Sequence, residues 1–527
     1  MKIKIEKNYL VFPTNVNAKQ KNVTFYDGGE EVYVLNMRLD ETAPDFYAYI
    51  EVSRFIGKEL ELKIYPQMSV LIRQADEISA EEKDALRPQI HFTSKRGWIN
   101  DPNGLIYLNG EWHLFYQHNP AAREWYSAHW GHAVSKDLLH WQEKSIALYP
   151  DEHGGVFSGC AIVDEKNLLG LQTNEQKTVL FYYTAAGTYA TEQKPFAQCL
   201  AYSTDGLQTL QKYKGNPILP ELVAENRDPN VQWCEELGCY VMALYLSGET
   251  YAIFKSDDLL SWTQIQSIEI ANENECPNLF AIQATNGQRK WILLGAHDCY
   301  LVGEFKDGKF SPTQGVKKLS EKTDAYASQI FANAPNGRVI RIAWGMWGKL
   351  KGKTFSQQLT IPCELQLERI GDEYYLSSSP IAELDTLTKR KIMLNDEHTI
   401  PVHNGALEIR LSGEYAKMQN FRLELFGNIL SFDFINNECK PLYYSFVSRR
   451  FVDGVHKSAI SLQKNRFNAR IIADKSGIEV FLDGGKISFA IFERAVCDGN
   501  FPYVKFLSDG KIGLERVEII EYNGARE

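Results

Sequence analysis

Hydrophobic and polar residues alternate along most of this chain in short segments, which is the period-two pattern of half-buried β-strands. Near the start, Val32 and Val34 alternate with polar neighbours, and Leu60, Leu62 and Ile64 do the same. These segments predict a small β module over residues 1–75.

A helix is predicted to link this module to the next domain. Ser79 and Glu82 have the spacing of a capping box at a helix start, and Pro88 would end the helix. Together with this linker, the N-terminal β module is predicted to span residues 1–87.

From about residue 88 to residue 370 the chain consists of short apolar runs separated by turn signals. Asn109-Gly110 stands between the runs 104–108 and 111–116. Asn-Gly between two apolar runs is a strong signal for a two-residue β-hairpin turn. This region is therefore predicted to be built from hairpins.

A weak internal repeat suggests how the hairpins are arranged. The segments 135–141, 203–207 and 256–262 share a Ser-x-Asp start, and their aspartates lie 68 and 53 residues apart. A recurrence of that length, with several strands in each unit, is typical of β-propeller blades. The region is long enough for five blades, so a five-bladed propeller is predicted over residues 88–370.

The last part of the chain predicts a second all-β unit. The runs 478–482 and 486–490 flank the turn Asp483-Gly484-Gly485. We interpret residues 371–527 as a hinge, over about 370–395, followed by a C-terminal β-sandwich. The expected fold class is therefore all-β: a small β module, a five-bladed propeller and a sandwich.

Composition and charge exclude several classes of function. The formal net charge is −10, and no Lys/Arg run resembles a nucleic-acid site. No 18-residue apolar run and no apolar signal core occur, so neither a membrane nor a secretory route is expected. The prediction is a cytoplasmic, soluble protein with a neutral or weakly charged substrate.

Cysteines and histidines do not predict a metal site or a cofactor. The nine cysteines show no disulfide framework, and Cys234 and Cys239, which flank a turn, lack a second pair with zinc spacing. Seven of the eleven histidines lie between His91 and His153. His129 and His132 are three apart, which on a strand points them to opposite faces. We expect free thiols and histidines that serve packing.

Three carboxylates beside prolines carry the candidate chemistry: Asp101 before Pro102, Asp228 before Pro229, and Glu275 in a Glu-Cys-Pro triplet. Each alone has a plainer interpretation, as a turn, a structural Arg–Asp pair or an exposed side chain. Together they suit a glycosidase, because glycosidic bonds are usually cleaved by two carboxyl groups. We predict Asp101 as the nucleophile and Glu275 as the general acid and base.

The order of these motifs and their amino-acid sequences resemble those of glycoside hydrolase family 32, the invertase, levanase and inulinase family. The resemblance covers roughly residues 88–527. Its further motifs are residues 87–92, 114–120, 129–133, 157–159, 324–329 and 473–481.

The resemblance implies an exo-acting, retaining enzyme without a cofactor that releases terminal β-D-fructofuranosyl units from fructans, fructo-oligosaccharides or sucrose. It implies that Asp228 grips sugar hydroxyls, with Arg227 keeping Asp228 ionised and oriented. The residues that it implies in the sugar pocket are Asn100, Gln117, Trp125, Ser158, Arg227, Trp98 and Tyr326.

The chain departs from the family pattern at Asn274, Asn278 and Met346, where most members have Trp, Asp and Trp. We expect these positions near the mouth of the pocket, where they would change substrate length and linkage. Residues 8–13 and 44–49 resemble a small β domain that precedes the catalytic domain in some bacterial levanases and inulinases, which favours a fructan-trimming enzyme.

Three alternatives stay open at this level. A fructosyltransferase would use the same covalent intermediate with a sugar acceptor. A non-catalytic fructan-binding protein would tolerate the loss of a carboxylate. An inverting arabinanase-type enzyme would also use three carboxylates, but in different sequence motifs. The expected partner is a carbohydrate, and a homo-oligomer is possible.

Overall fold

The chain folds into β-strands with a few short 3-10 helices. A computed structural model describes residues 1–79, 84, 86–172, 175–320, 323–347, 354–394, 399–402, 405–445, 450–454, 457–492, 502–508 and 510–526. Of the predicted capping box, Ser79 is the last described residue before a gap, and Glu82 lies outside the described residues. Within the described residues, no helix has both the length and the hydrophobicity needed to cross a bilayer.

Two small sheets form the N-terminal module, with strand orders β1-β6-β3-β4 and β5-β2-β7. Leu60 and Leu62 are buried while their neighbours are exposed, so the predicted alternation is confirmed. The strands are β1 (Lys2–Lys4), β2 (Tyr9–Thr14), β3 (Lys21–Asp27), β4 (Glu30–Met37), β5 (Phe46–Glu51), β6 (Glu59–Tyr65) and β7 (Arg73–Ala75), with a 3-10 helix at Ser53–Phe55.

The first three blades of the propeller are antiparallel four-stranded meanders, with a short parallel strand added to the first. Asn109 and Gly110 have φ of 51° and 87°, which suits the predicted hairpin turn between β8 and β9. The strands are β8 (Gly97–Leu108), β9 (Glu111–Asn119), β10 (His129–Ser135), β11 (Gln142–Glu143), β12 (Gly155–Val163), β13 (Val179–Ala186), β14 (Ala197–Ser203), β15 (Gln211–Lys212), β16 (Arg227–Cys234), β17 (Cys239–Ser247), β18 (Thr250–Ser256) and β19 (Thr263–Glu269), with a 3-10 helix at Gly187–Tyr189.

The fourth and fifth blades complete the ring. The fifth sheet ends with β30 at Pro380, so the predicted domain boundary at residue 370 is wrong and falls inside a hairpin. The strands are β20 (Asn278–Gln283), β21 (Arg289–Leu294), β22 (Cys299–Lys306), β23 (Lys309–Pro312), β24 (Lys317–Lys318), β25 (Ala325–Ile330), β26 (Ile340–Gly345), β27 (Phe355–Ser356), β28 (Gln358–Leu359), β29 (Cys363–Ile370) and β30 (Glu373–Pro380), with a 3-10 helix at Pro335–Gly337.

The sequence repeat marks equivalent turns of the first three blades, between the third and fourth strands. In each turn the serine hydroxyl donates to the aspartate two residues later, which fixes the tight turn. The pairs are Ser135–Asp137, Ser203–Asp205 and Ser256–Asp258, with Oγ–Oδ1 distances of 3.0, 2.8 and 3.0 Å.

A ring of hydrogen bonds ties the innermost strands of the five blades together around the axis. One side chain of each inner strand accepts a hydrogen bond from a backbone N–H of the next inner strand, which satisfies polar groups that strand pairing leaves open. The acceptor and donor pairs are Asn103 with Gly159 (3.2 Å), Cys160 with Val231 (3.1 Å), Asn230 with Leu279 (2.9 Å), Asn278 with Ile330 (3.2 Å) and Gln329 with Leu105 (3.3 Å).

The position of Asn278 in this ring corrects one expectation. Asn278 was expected at the pocket mouth, but it is buried, and its amide also donates to the carbonyl of Ser328 at 2.7 Å. It therefore connects the fourth and fifth blades and does not face the entrance.

The C-terminal sandwich consists of a six-stranded and a seven-stranded sheet, with orders β31-β43-β33-β39-β40-β41 and β32-β42-β34-β35-β36-β37, and β38 beside β36. The predicted hairpin around Asp483 is confirmed as β40–β41. The strands are β31 (Thr388–Leu394), β32 (Thr399–Pro401), β33 (Leu407–Glu414), β34 (Phe421–Leu425), β35 (Asn428–Asp433), β36 (Glu438–Ser445), β37 (Arg450–Asp453), β38 (Ser458–Ala459), β39 (Arg466–Asp474), β40 (Gly477–Leu482), β41 (Ile487–Ile491), β42 (Tyr503–Leu507) and β43 (Arg516–Tyr522), with 3-10 helices at Ala382–Leu387, Tyr415–Lys417 and Asp483–Gly485.

A buried histidine joins the propeller to the sandwich. His91 Nδ1 lies 2.9 Å from Asp474 Oδ2, and His91 Nε2 lies 2.8 Å from Glu479 Oε1. Burial alone would lower the pKa of His91, but hydrogen bonds and charges from the two carboxylates outweigh burial and raise it to about 9. The imidazolium form therefore holds the two domains together at neutral pH.

We expect this contact to make stability depend on pH. The pKa of His91 is higher in the folded than in the unfolded chain, so its contribution is fully present below pH 6.5 and is lost as pH rises through about 9. A His91→Gln variant should lose this component, which differential scanning calorimetry between those pH values would measure. If stability changes with pH in the same way in wild type and variant, protonated His91 does not stabilise the domain contact.

Candidate active site

Four of the five innermost strands carry a β-bulge at the same level. Three of these bulges contain predicted site residues, and the fourth directly follows Tyr326. In each case two residues stand opposite one on the neighbouring strand, which turns a side chain out of the regular alternation. The bulged pairs are Asn100-Asp101 in β8, Phe157-Ser158 in β12, Asp228-Pro229 in β16 and Ala327-Ser328 in β25. Glu275 comes just before the fifth inner strand, β20.

The three carboxylates meet around Cys276. Its thiol lies 3.6 Å from Asp101 Oδ2 and 3.4 Å from Asp228 Oδ2, and its backbone N–H donates to Asp228 Oδ2 at 3.1 Å. Glu275 precedes Cys276 in the chain. The structure thus brings together three carboxylates that the sequence separates by up to 174 residues.

The backbone at this point adopts a conformation that residues other than glycine rarely take. Asp228, Glu275 and Cys276 have φ of 65°, 49° and 41°. Such left-handed conformations persist only where the surrounding structure enforces them, and they concentrate at functional sites. Here they aim the carboxylates at one another.

Hydrogen bonds orient Asp101 and Asp228. Ser158 Oγ donates to Asp101 Oδ2 at 2.7 Å, and Asn100 Nδ2 donates to Asp101 Oδ1 at 3.2 Å. The backbone N–H of Asp228 donates to Thr184 Oγ1 at 2.9 Å. Asp101 and Asp228 are therefore held in fixed positions.

Glu275 is held by two donors. Arg227 Nη2 forms an ion pair with Glu275 Oε1, and the hydroxyl of Tyr326 donates to Glu275 Oε2. The phenol of Tyr251 donates to the backbone carbonyl of Glu275 at 3.2 Å. The guanidinium of Arg227 also lies over the Tyr245 ring, 4.8 Å from its centre.

This arrangement differs from the expectation that Arg227 keeps Asp228 ionised. Arg227 Nε is 4.0 Å from Asp228 Oδ2, at the limit of an ion pair, and the guanidinium makes a closer ion pair with Glu275. Burial and the charge of Glu275 raise the pKa of Asp228 to about 7, although Arg227 opposes them. Burial also raises the pKa of Asp101, against the hydrogen bonds from Ser158 and Asn100. The cluster therefore retains a proton near neutral pH.

The predicted wall residues lie around these carboxylates. Trp98 Nε1 donates to Asn100 Oδ1 at 2.9 Å, and the Trp98 and Trp344 rings meet edge to face with centres 5.9 Å apart. Trp344 in turn contacts the ring of Tyr326, 6.2 Å between centres. Trp344 was not predicted as a site residue. The one sequence signal for it is its position two residues before Met346, where the chain departs from the family pattern.

Gln117 and Trp125 contact β12 beside its bulge. Gln117 stands opposite the first bulge, and its amide donates to the carbonyl of Val156 at 2.8 Å. Trp125 is 39% exposed and contacts Phe157, the neighbour of Ser158, with ring centres 6.0 Å apart. Both are thus linked to the site through the bulge of β12.

The histidines serve the packing that was predicted for them. His129 Nε2 lies 2.8 Å from the Tyr33 hydroxyl of the N-terminal module, whereas His132 stacks on His113 at the other face of β10. Burial lowers the pKa of His129 and of His132 to about 3, so both are neutral. Within the described residues, no group of three or more histidines, cysteines or acidic residues could hold a metal ion.

Glu273 is a positioning residue that the sequence did not reveal. It is 3% exposed, although it stands in a polar run, and its carboxylate accepts backbone N–H groups of Asn274 (2.9 Å), His297 (2.7 Å) and Cys299 (2.8 Å). The ring of His297 contacts the ring of Tyr326, 4.8 Å between centres. Glu273 therefore positions His297, which packs against Tyr326, one of the two donors that hold Glu275.

A Glu273→Gln variant should destabilise this loop, because one amide oxygen replaces two acceptors and leaves a buried N–H without a partner, at a cost of about 1–3 kcal/mol. The hydrogen bond that the His297 ring makes to the Glu273 carboxylate raises the pKa of His297, so this pKa should fall in the variant. Titration of the His297 ring by NMR would measure it, and an unchanged pKa would contradict this role.

Comparison with known proteins shows to which family this chain is related. Residues 91–380 match the sequence model described as glycosyl hydrolases family 32 N-terminal domain. The chain is 30% identical over 447 residues to a levanase of Bacillus subtilis, covering 76% of this chain and 65% of that protein. It is 33% identical over 356 residues to an invertase of Schizosaccharomyces pombe, covering 61% of this chain and 59% of that protein. The chain thus spans less than two thirds of the length of these relatives.

Solved structures share the fold. An exo-inulinase from Aspergillus awamori superposes with a TM-score of 0.71 at 23% identity, covering 84% of this chain and 99% of that one. A beta-fructofuranosidase from Schwanniomyces occidentalis complexed with fructosyl-erythritol gives 0.72 at 24% identity, covering 83% and 98%. With the family match over more than half of its length, the chain belongs to glycosyl hydrolases family 32.

Proposed function

We propose that this protein is an exo-acting, retaining β-fructosidase that releases terminal β-D-fructofuranosyl units from fructans, fructo-oligosaccharides or sucrose. The observation that carries the proposal is the meeting of Asp101, Asp228 and Glu275 around Cys276, in a chain of this family. Relatives named levanase, invertase and fructan beta-fructosidase support the substrate class.

In the first step, a carboxylate oxygen of Asp101 forms a bond to the anomeric carbon while the bond from that carbon to the leaving oxygen breaks. Glu275 gives its proton to the leaving oxygen, and a fructosyl ester on Asp101 forms. Arg227 and Tyr326 hold the Glu275 carboxyl group in place for this transfer.

In the second step, Glu275 takes a proton from water, whose oxygen attacks the anomeric carbon and releases Asp101. Attack from the opposite face twice returns the original configuration. Asp228 would accept hydrogen bonds from sugar hydroxyls and strengthen them as positive charge develops on the ring. Its fixed position, with the backbone N–H bound to Thr184, suits this task.

Product analysis tests the proposal. The purified protein is incubated with sucrose, inulin-type and levan-type oligosaccharides, and the products are resolved over time. Fructose released one unit at a time would support an exo-acting fructosidase, and the relative rates would name the preferred substrate. Growth of longer oligosaccharides at high sucrose would favour a transferase instead.

The configuration of the first product tests the retaining step. An NMR spectrum recorded within the first turnovers shows whether β-fructofuranose appears before its anomers equilibrate. The inverted anomer as first product would exclude the covalent intermediate on Asp101. No release from any substrate would reject the proposed function and favour a binding protein.

A further inference from the structure

The loop between β9 and β10, residues 120–128, carries Trp125 and is fastened to the N-terminal module. Ser127 Oγ accepts the backbone N–H of Asn36 at 2.8 Å and donates to the carbonyl of Asn36 at 3.2 Å. Asn36 belongs to β4 of the module. Two hydrogen bonds therefore tie the loop to the edge of a sheet outside the propeller.

Two ion pairs strengthen this connection. Arg38 of the module pairs with Glu124, and Asp45 of the module pairs with Arg123 at 3.2 Å. The four side chains are 13–35% exposed, so solvent screens these pairs only in part. Ala121 of the loop is fully buried in the hydrophobic core of the module.

The other side of the loop packs beside the bulge of β12. The Trp125 ring meets Phe157 and Tyr189 edge to face, with ring centres 6.0 and 5.6 Å apart. Phe157 shares its bulge with Ser158, which donates to Asp101. The loop thus lies between the module and the bulge that holds the nucleophile.

The module itself is firmly attached to the propeller, so it can serve as a fixed support. The guanidinium of Arg54 lies 3.7 Å from the centre of the Tyr149 ring, and Glu51 accepts the backbone N–H of Ile146 at 3.1 Å. The buried hydroxyl of Tyr33 is hydrogen-bonded to His129, on the strand that follows the loop.

We propose that the N-terminal module is a specificity element of the catalytic site: through Asn36, Arg38 and Asp45 it holds loop 120–128 so that Trp125 is placed to contact the sugar. This inference rests on the proposed function. Trp125 is exposed on a loop with little secondary structure of its own, and an aromatic wall binds sugar well only when its orientation is fixed beforehand. Asn36, Arg38 and Asp45 are positioning residues because they act through Trp125.

The test is an Arg38→Met/Asp45→Asn double variant, which removes both ion pairs and touches no residue of the catalytic centre. We expect KM for the best oligosaccharide to rise about fivefold while kcat changes less than about twofold, because ground-state and transition-state binding weaken together. Lys58→Met is the matched control, since it breaks another ion pair of the module, with Asp27 at 2.6 Å. It should leave KM unchanged.

A second comparison separates positioning from a merely structural role. If the module acts through Trp125, the double variant should have almost no further effect on KM in a Trp125→Ala background, since coupled residues are non-additive. An unchanged KM in the double variant, or the same increase with and without Trp125, would overturn the inference. If the double variant unfolds at the assay temperature, Ser127→Ala replaces it in the same cycle. A parent protein that releases no fructose would instead reject the proposed function.

Discussion

Replacement of Asp101 with Asn should lower kcat for fructose release at least about 10⁴-fold, because removal of a nucleophile that forms a covalent intermediate eliminates the main route of catalysis. The amide has nearly the shape of the carboxylate, so Ser158 and Asn100 keep a partner. KM and the midpoint of thermal unfolding should therefore change little. Initial rates by fructose detection, together with calorimetry, measure all three.

The control for this variant is Asp257→Asn, the same chemical change at an exposed position in a blade turn. It should retain full activity. Because the charge of Asp101 raises the pKa of Asp228, that pKa should also fall in the Asp101→Asn variant. A kcat within about tenfold of the parent value would contradict Asp101 as the nucleophile, because removal of a catalytic nucleophile lowers kcat far more than that.

Glu275→Gln should lower kcat for natural oligosaccharides by about 10²–10⁴-fold, the usual contribution of a general acid and base. An aryl fructoside has a leaving group that departs without protonation, so its first step should be almost unaffected. The fructosyl ester on Asp101 would then accumulate, because the second step still lacks its base. Mass spectrometry of the intact variant should show the mass of one added fructosyl unit.

Two comparisons make this result specific. The same treatment of Asp101→Asn should add no mass, since that variant cannot form the ester. Tyr326 and Arg227 hold Glu275 through hydrogen bonds, and both lose a charged acceptor in Glu275→Gln, so calorimetry must show that the variant is folded. Equal loss for aryl and natural substrates would reject Glu275 as the acid.

The fold class and its blades could be predicted from local patterns. Strand alternation, the Asn109-Gly110 turn and the repeated Ser-x-Asp turns depend only on residues close together in the chain, and the structure confirms each of them. The end of the propeller was placed wrongly, because β29 and β30 have the same alternation as the strands of the sandwich. Only the pairing of β29 with β26 assigns this hairpin to the fifth blade.

The identity of the three candidate carboxylates also came from the sequence, through short motifs with an adjacent proline. Which pocket residue pairs with which carboxylate did not come from the sequence. Arg227 was expected to act on Asp228, its neighbour in the chain, yet its closer ion pair is with Glu275, which is distant in the chain. Glu273 was hidden for a similar reason, because a polar run gives no sign that one of its side chains is buried.

The sequence by itself therefore determined the strands, the turns and the residue types that can cleave a glycosidic bond, since these depend on local conformational preference and side-chain chemistry. Only the tertiary structure decided how they meet. The five inner strands must close into a ring before the four bulges share one level. Cys276 lies 175 residues from Asp101, whose carboxylate its thiol contacts. Backbone bulges, left-handed residues and the support of loop 120–128 by the N-terminal module arise from pairing between distant segments, which local patterns do not encode.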